Sequence, residues 1–291
     1  MYTKRWFTYT MISVNLFDTN NPETNKCFNG YWPECLKEIE YIRPPLLNFD
    51  GISLFTDELC FHPIVDRINS KYKIAWAMES PVVKPHVYDY ISNIEDKFDY
   101  ILLSNKQKFT SSKYRKMHFG CCWVTEPYCK LYTKTKMLSI VASNKNWAPG
   151  HKLRHDVISR KLHSELELWG SGYRWFSDEP TDRVKPFEPY RYLIVIENCQ
   201  YPGYFTDKII DCFATGTIPI YWGDPEIHTL FNSKGFYIWN TIDELYEILN
   251  KISIDDYESK LEYVKENYSK FKNFSSPDKN LISIFKELSL C

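Results

Sequence analysis

The stretch YRYLIVIEN (190–198) limits the fold more than any other part of the chain. It is an almost unbroken apolar run ending in Glu197-Asn198, the pattern of a strand covered on both faces and hence of a parallel sheet. A helix should follow: Thr206 suits an N-cap, Asp207-Lys208-Ile209-Ile210 a first turn, and Gly216 the position just past the end. TIPIYWG (217–223) reads as the next strand. Strands alternating with helices build parallel sheets and an α/β fold.

The same alternation recurs upstream. KIAWAME (73–79) reads as a strand ending at Glu79-Ser80-Pro81, HVYDYISNIEDKF (86–98) as a helix with apolar positions Val87, Tyr90, Ile91 and Ile94, and DYILLSN (99–105) as a strand. Residues 120–136 mix Pro and several Lys and look like a connection between two lobes. Beyond them come a strand at 136–144, a helix at 151–166 with apolar Leu153, Val157, Ile158 and Leu162, and surface helices toward the end. The expected fold is α/β with two Rossmann-like lobes of parallel sheet facing a central cleft, one over 1–135 and one over 136–291, the terminal helices being free to pack back on the first lobe.

Composition excludes several classes. With 291 residues, 44% hydrophobic and 25% charged residues, and a formal net charge of -1, the chain reads as a soluble globular protein with no global attraction to nucleic acid or anionic membrane. No run approaches the length of a membrane span, and MYTKRWFTYTMISVNLFDTN lacks the apolar core and cleavage site of a leader. The cysteines (27, 35, 60, 121, 122, 129, 199, 212 and 291) contain no CxxC pair; they read as reduced thiols, which points to the cytoplasm. His118 with Cys121 and Cys122 lacks further partners at metal-site spacing, so no metal ligands are assigned.

One edge of the second lobe concentrates the chemistry. Ligands of open parallel sheets bind beyond the carboxyl ends of the strands, where the next helices begin. Ser143, Asn144 and Asn146 follow one strand and Arg154 lies early in its helix; Glu197 and Asn198 end another strand and Lys208 starts its helix; Tyr221 and Trp222 end a third. A lysine opposes the positive end of a helix, an oddity that an anion bound there would resolve. Two helix starts and two cations at one edge suit a phosphate or diphosphate. Glu197 is either an ion-pair partner of those cations or an acceptor for ribose hydroxyls; Tyr221 and Trp222 serve equally as core. GxxxxGK[ST], GxGxxG after a strand, and a D-x-D triplet are all missing. A leaving diphosphate would then be stabilised by Lys, Arg and helix amides, not by a divalent cation on paired carboxylates.

YLIVIENCQYPGYFTDKIIDCFATGTIPIYWGDPEI resembles the signature of the α1,3/α1,4-fucosyltransferases, glycosyltransferase family 10: an apolar strand, F-E-N-S, a loop, Y-[VI]-T-E-K, an apolar helix and G-x-[IV]-P-[IV]-Y-x-G. Glu197, Asn198, Tyr204, Thr206, Lys208, Gly216, Pro219, Tyr221 and Gly223 fall on it. SIVASNKNWAPGHKLRHDVISRKL is similar to the family's Ser-Asn, loop and helix-opening Arg, with Arg154 in the Arg position. AMESP matches its amino-terminal E-S-P more weakly, with Glu79 in the position of the base. The strong resemblance covers about 137–231 and the weak one about 73–105; Asp207 and Cys199 depart from the family's Glu and Ser, which bears on donor specificity.

The resemblance implies the GT-B architecture, a GDP-β-L-fucose donor on the carboxy-terminal lobe, an acceptor glycan on the amino-terminal lobe, and inversion by single displacement with an α1,3-type linkage. It implies Glu79, Arg154 and Lys208 as catalytic residues, and Asn144, Arg154, Glu197, Asn198, Tyr204, Thr206, Asp207, Lys208 and Tyr221 around the donor. No cofactor is required beyond the donor substrate, a divalent cation being at most stimulatory. The expected partners are the nucleotide sugar and the acceptor glycan, not nucleic acid. The Lys-rich helix KLEYVKENYSKFKNF reads as a solvated face, though it also suits peripheral contact with a membrane. Two alternatives stand beside this reading: the same machinery with another nucleotide sugar, and a non-catalytic nucleotide-sugar- or glycan-binding protein on this fold.

Overall fold

The computed structural model describes residues 11–19 and 37–290. Cys27, Cys35, Cys291 and most of the amino-terminal stretch MYTKRWFTYTMISVNLFDTN lie outside them. The described residues form two sheets in which all pairings are parallel. The first runs β2-β1-β3-β4-β5-β6, from β1 (Ile12–Phe17), β2 (Ile39–Ile42), β3 (Asn48–Thr56), β4 (Asn69–Ala77), β5 (Tyr100–Leu103) and β6 (Tyr114–Lys116). The second runs β11-β10-β9-β7-β8, from β7 (Lys136–Val141), β8 (Leu166–Trp169), β9 (Tyr190–Ile196), β10 (Ile218–Trp222) and β11 (Tyr237–Ile238). Helices connect them: α1 (Ile64–Arg67), α2 (Pro85–Tyr90), α3 (Pro149–Arg160), α4 (Pro180–Arg183), α5 (Asp207–Thr215), α6 (Ile242–Leu249), α7 (Ile254–Ser259), α8 (Leu261–Lys270) and α9 (Pro277–Glu287).

The apolar run that opened the sequence reading is buried on both faces. Successive strand residues point to opposite sides. Thus Tyr192, Ile194 and Ile196 pack with Val157 of α3 and Leu245 and Leu249 of α6, while Leu193 and Val195 pack with Ile209, Ile210 and Phe213 of α5. Each fully buried aliphatic side chain stabilises the fold by roughly 1.5–3 kcal/mol. α5 begins at Thr206, whose hydroxyl accepts from the Lys208 amide, and ends at Gly216, which takes the left-handed conformation (φ 71°) open to a residue without Cβ. The first sheet is covered by α2 and its continuation on one side and by α9 on the other: Leu281, Ile282 and Phe285 join Leu54, Ile74 and Trp76.

Two elements differ from expectation. The helix expected over 86–98 is α2 followed by a tighter 3-10 helix at Ile91–Lys97. Its three-residue repeat brings Ile91 and Ile94 to one face, whereas Tyr90 is exposed. The helix expected over 151–166 stops at Arg160, because Lys161 adopts the left-handed conformation (φ 49°). Leu166 then opens edge strand β8, which the sequence reading did not foresee. Among the described residues no helix is long and apolar enough to cross a membrane. The six described cysteines are buried.

Candidate active site

In the second sheet the chain moves outward from β7 to β8, then returns to place β9 on the other side of β7. Strand order reverses there, and the crevice beyond such a reversal is where open α/β sheets bind ligands. The two helices that follow the flanking strands are α3 and α5. They start side by side: the Gly150 amide donates to the Asn198 carbonyl (3.0 Å), and a Cβ on Gly150 would lie 1.7 Å from the Glu197 carbonyl oxygen. Only glycine allows that approach.

A cleft of about 440 Å³ opens at this edge, within the range of small-molecule sites. From the second lobe it is lined by Arg154, Asn198, Asp207 and Lys208; from the first it receives Glu79 and Val83. Arg154 is buried, with Nε donating to the Ile196 carbonyl (2.9 Å) and Nη2 reaching both that oxygen and Asn198 Oδ1 (3.5 Å). Lys208 is 29% exposed, and its Nζ lies 3.3 Å from Glu197 Oε2 and 3.8 Å from Asp207 Oδ1. Burial lowers the Lys208 pKa, but Glu197 and Asp207 outweigh it and the net shift is upward, so the ammonium stays charged. Burial likewise lowers the Arg154 pKa, opposed by the same two carboxylates. His151 is pushed down to about 4 by burial and by the positive charges of Arg154, Lys145 and Lys208, and its Nδ1 accepts from the Ala148 amide (3.3 Å). A neutral imidazole thus stands among three cations at this edge.

Glu197 sits behind the two cations. It is 0% exposed, one oxygen accepting from the Thr206 amide (2.9 Å) and the other from the Thr206 hydroxyl (2.8 Å). Lys208 Nζ also donates to that hydroxyl (2.8 Å). Glu197 is therefore the buried partner that fixes the helix start and its lysine, not an acceptor facing the cleft. Thr206 is held in the same network. Tyr221 is fully buried with its hydroxyl accepting from the Asp224 amide (2.9 Å), and it packs in the core. In this structure Glu197, Thr206 and Tyr221 thus stand behind the wall of the cleft. Asn144 stands exposed on the β7–α3 loop beside Gly172. Tyr204 is buried too, but its hydroxyl crosses to the other lobe and donates to Glu79 Oε2 (3.3 Å).

Residues 131–284 match the family profile "Glycosyltransferase family 10 (fucosyltransferase) C-term". The chain belongs to glycosyltransferase family 10. Among curated relatives, an alpha-(1,3)-fucosyltransferase FucT of Helicobacter pylori is 34% identical over 35% of this chain and 21% of its own length. A putative fucosyltransferase R654 of Acanthamoeba polyphaga mimivirus is 36% identical over 20% of this chain and 10% of its own. The chain thus spans, by these matches, about a fifth and a tenth of those relatives. A crystal structure of an alpha1,3-fucosyltransferase with GDP-fucose superposes over 100% of this chain and 92% of that one, with a TM-score of 0.62 and 19% identity. An alpha-glucosyltransferase in complex with UDP-glucose and DNA shares the fold at a TM-score of 0.56 and 9% identity. The architecture is the two-lobed GT-B fold of these glycosyltransferases.

Several wall residues of this family 10 member escaped the sequence reading. Arg183 of α4 lines the cleft with its guanidinium 3.7 Å from the centre of the Trp123 ring and pairs with Asp178 (2.9 Å). Asp211 lies one turn after Asp207 on α5; its Oδ1 accepts from the amides of Trp123 (2.7 Å) and Val124 (3.1 Å), and burial followed by the charge of Asp207 raises its pKa to about 7. An acid inside the otherwise apolar IIDCFA (209–214) was a readable signal. Trp147 and Trp175 line the cleft while remaining 52% and 71% exposed. His118, Cys121 and Cys122 do not converge: the first meets the Gly203 carbonyl, the second Asp207, the third the Val124 carbonyl.

Proposed function

We propose that the protein is an inverting fucosyltransferase that moves L-fucose from GDP-β-L-fucose to a hydroxyl of an acceptor glycan, forming an α1,3-type linkage. The observation that carries this reading is the meeting, in one cleft, of a carboxylate from the first lobe with two cations from the second. The donor diphosphate lies at the starts of α3 and α5, against Arg154 and Lys208. The acceptor enters along the first lobe beside Glu79. The acceptor oxygen attacks the anomeric carbon from the face opposite the diphosphate, the carbon–oxygen bond to phosphate breaks, and Glu79 takes the hydroxyl proton. Charge growing on the leaving GDP meets cations that are already fixed by Glu197, Thr206 and the Ile196 carbonyl, so little reorganisation is needed. The reaction as read requires no metal.

The first test is calorimetric titration with GDP, UDP and ADP, repeated on Lys208→Ala. Selective GDP binding that weakens about tenfold or more in the variant is expected, in line with loss of a charge-assisted contact. Binding of UDP or ADP instead would transfer the same machinery to another nucleotide sugar. Unchanged GDP affinity in Lys208→Ala would remove the diphosphate from this edge.

A further inference from the structure

We propose that Asp57 is the positioning residue that aims Glu79 into the cleft. The inference rests on the reading of Glu79 as the base. β3 and β4 run in register to Thr56↔Trp76, so Asp57, the first residue beyond β3, sits beside the segment that leaves β4 toward Glu79. There it adopts the left-handed conformation (φ 43°), uncommon for a residue with a side chain. The side chain is buried at 3% exposure, and a single carboxylate oxygen accepts from the amides of both Met78 (2.9 Å) and Glu79 (3.2 Å).

Two amides on one oxygen fix two successive peptide planes. With them the direction of the Glu79 Cα–Cβ bond is set. The Glu79 carbonyl accepts from the Tyr88 hydroxyl (2.8 Å), and the carboxylate is met at its tip by Tyr204 (3.3 Å). Asp57 is thus the part of this mount that grips the main chain before the side chain departs. A buried acid in a strained conformation is unfavourable on both counts, and the pair of amides is what both serve. Burial raises the Asp57 pKa to about 7 even though the two amides act against it, so near neutrality the neutral carboxyl is already well populated and an amide is a fair replacement.

The test measures GDP release from GDP-fucose, with N-acetyllactosamine or water as the acceptor probe, together with GDP affinity. Asp57→Ala and Asp57→Gly should each lower kcat at least tenfold while leaving the GDP dissociation constant within about twofold. Glycine relieves the positive φ and alanine does not, so equal losses assign the effect to the missing acceptor. Asp57→Asn keeps an oxygen for both amides and tolerates the left-handed region, and should recover kcat to within about threefold. Glu79→Gln is measured alongside. If it abolishes turnover while Asp57→Ala and Asp57→Gly stay near wild type, the positioning role is overturned and the base stands. If Glu79→Gln keeps full turnover, the base reading falls, and any loss in the Asp57 variants belongs to another cause. Should Asp57→Ala fail to fold, Asn against Gly decides, and an Asn variant as slow as Gly overturns the proposal.

Discussion

The two walls of the cleft are built in opposite ways. On the second lobe, Arg154 and Lys208 are parts of a buried lattice: Glu197 binds Thr206 twice, Thr206 caps α5, and Arg154 is clamped on the Ile196 carbonyl. On the first lobe a lone carboxylate stands on a loop, aimed by main-chain contacts from Asp57 and Tyr88. The lattice suits a ligand whose charge is fixed and large, since preorganised charges gain most where they need not move. The mounted carboxylate suits a group that must take up a proton and give it away again.

The division predicts which property each substitution moves. The largest effect is expected from Glu79→Gln: turnover falls about 10²- to 10⁴-fold, the span of a lost general base, with GDP affinity unchanged by calorimetry. A marked loss of GDP affinity in that variant would break the division. Next, Lys208→Ala should reduce turnover about 10²- to 10³-fold and weaken GDP binding together. Glu197→Gln tests the lattice without touching the cleft. Removing the buried charge beside Lys208 should lower unfolding stability by about 2–3 kcal/mol in denaturant titration, below the loss seen for fully buried pairs because Lys208 is partly exposed. It should weaken GDP binding as well, and unchanged affinity would mean that Lys208 holds its place unaided.

The smallest effect concerns pH. The folded-state pKa of His151 is depressed to about 4 from its ordinary 6.5, so its contribution to stability is present above 6.5 and is lost as pH falls toward 4. Protonation would also break its acceptance from the Ala148 amide. His151→Gln should flatten the decline in melting temperature across that window. An equally steep acid decline in the variant would place the sensitivity elsewhere.

Sequence was most legible where local rules agree. Around Lys208 an apolar strand, an N-cap threonine, an acid in the first turn and a glycine at the end all describe one strand–helix unit, and the structure has it within two residues. Glu197 was visible as a carboxylate at a strand end, but its role depended on which way the side chain turned. β8 was hidden because Leu162 and Leu166 extend the periodicity of α3, and nothing in Lys161 announces a left-handed stop. Arg183 and Trp123 come from a one-turn helix and a connecting segment, where no period marks a face. Asp57 could not be read at all, since its importance lies in a conformation.

The placement of α9 has a consequence for how the protein is made. Leu281, Ile282 and Phe285 complete the core of the first sheet, whose strands lie between residues 12 and 116, and the Tyr41 hydroxyl reaches Asp278 (2.6 Å). During synthesis the first lobe leaves the ribosome before the second and must wait, one flank uncovered, until residues far downstream have emerged. The second sheet, whose core draws on residues as far as Phe271, closes shortly before α9 emerges. Order of translation and order of completion are therefore reversed, and the lobe made first is the one exposed longest to aggregation.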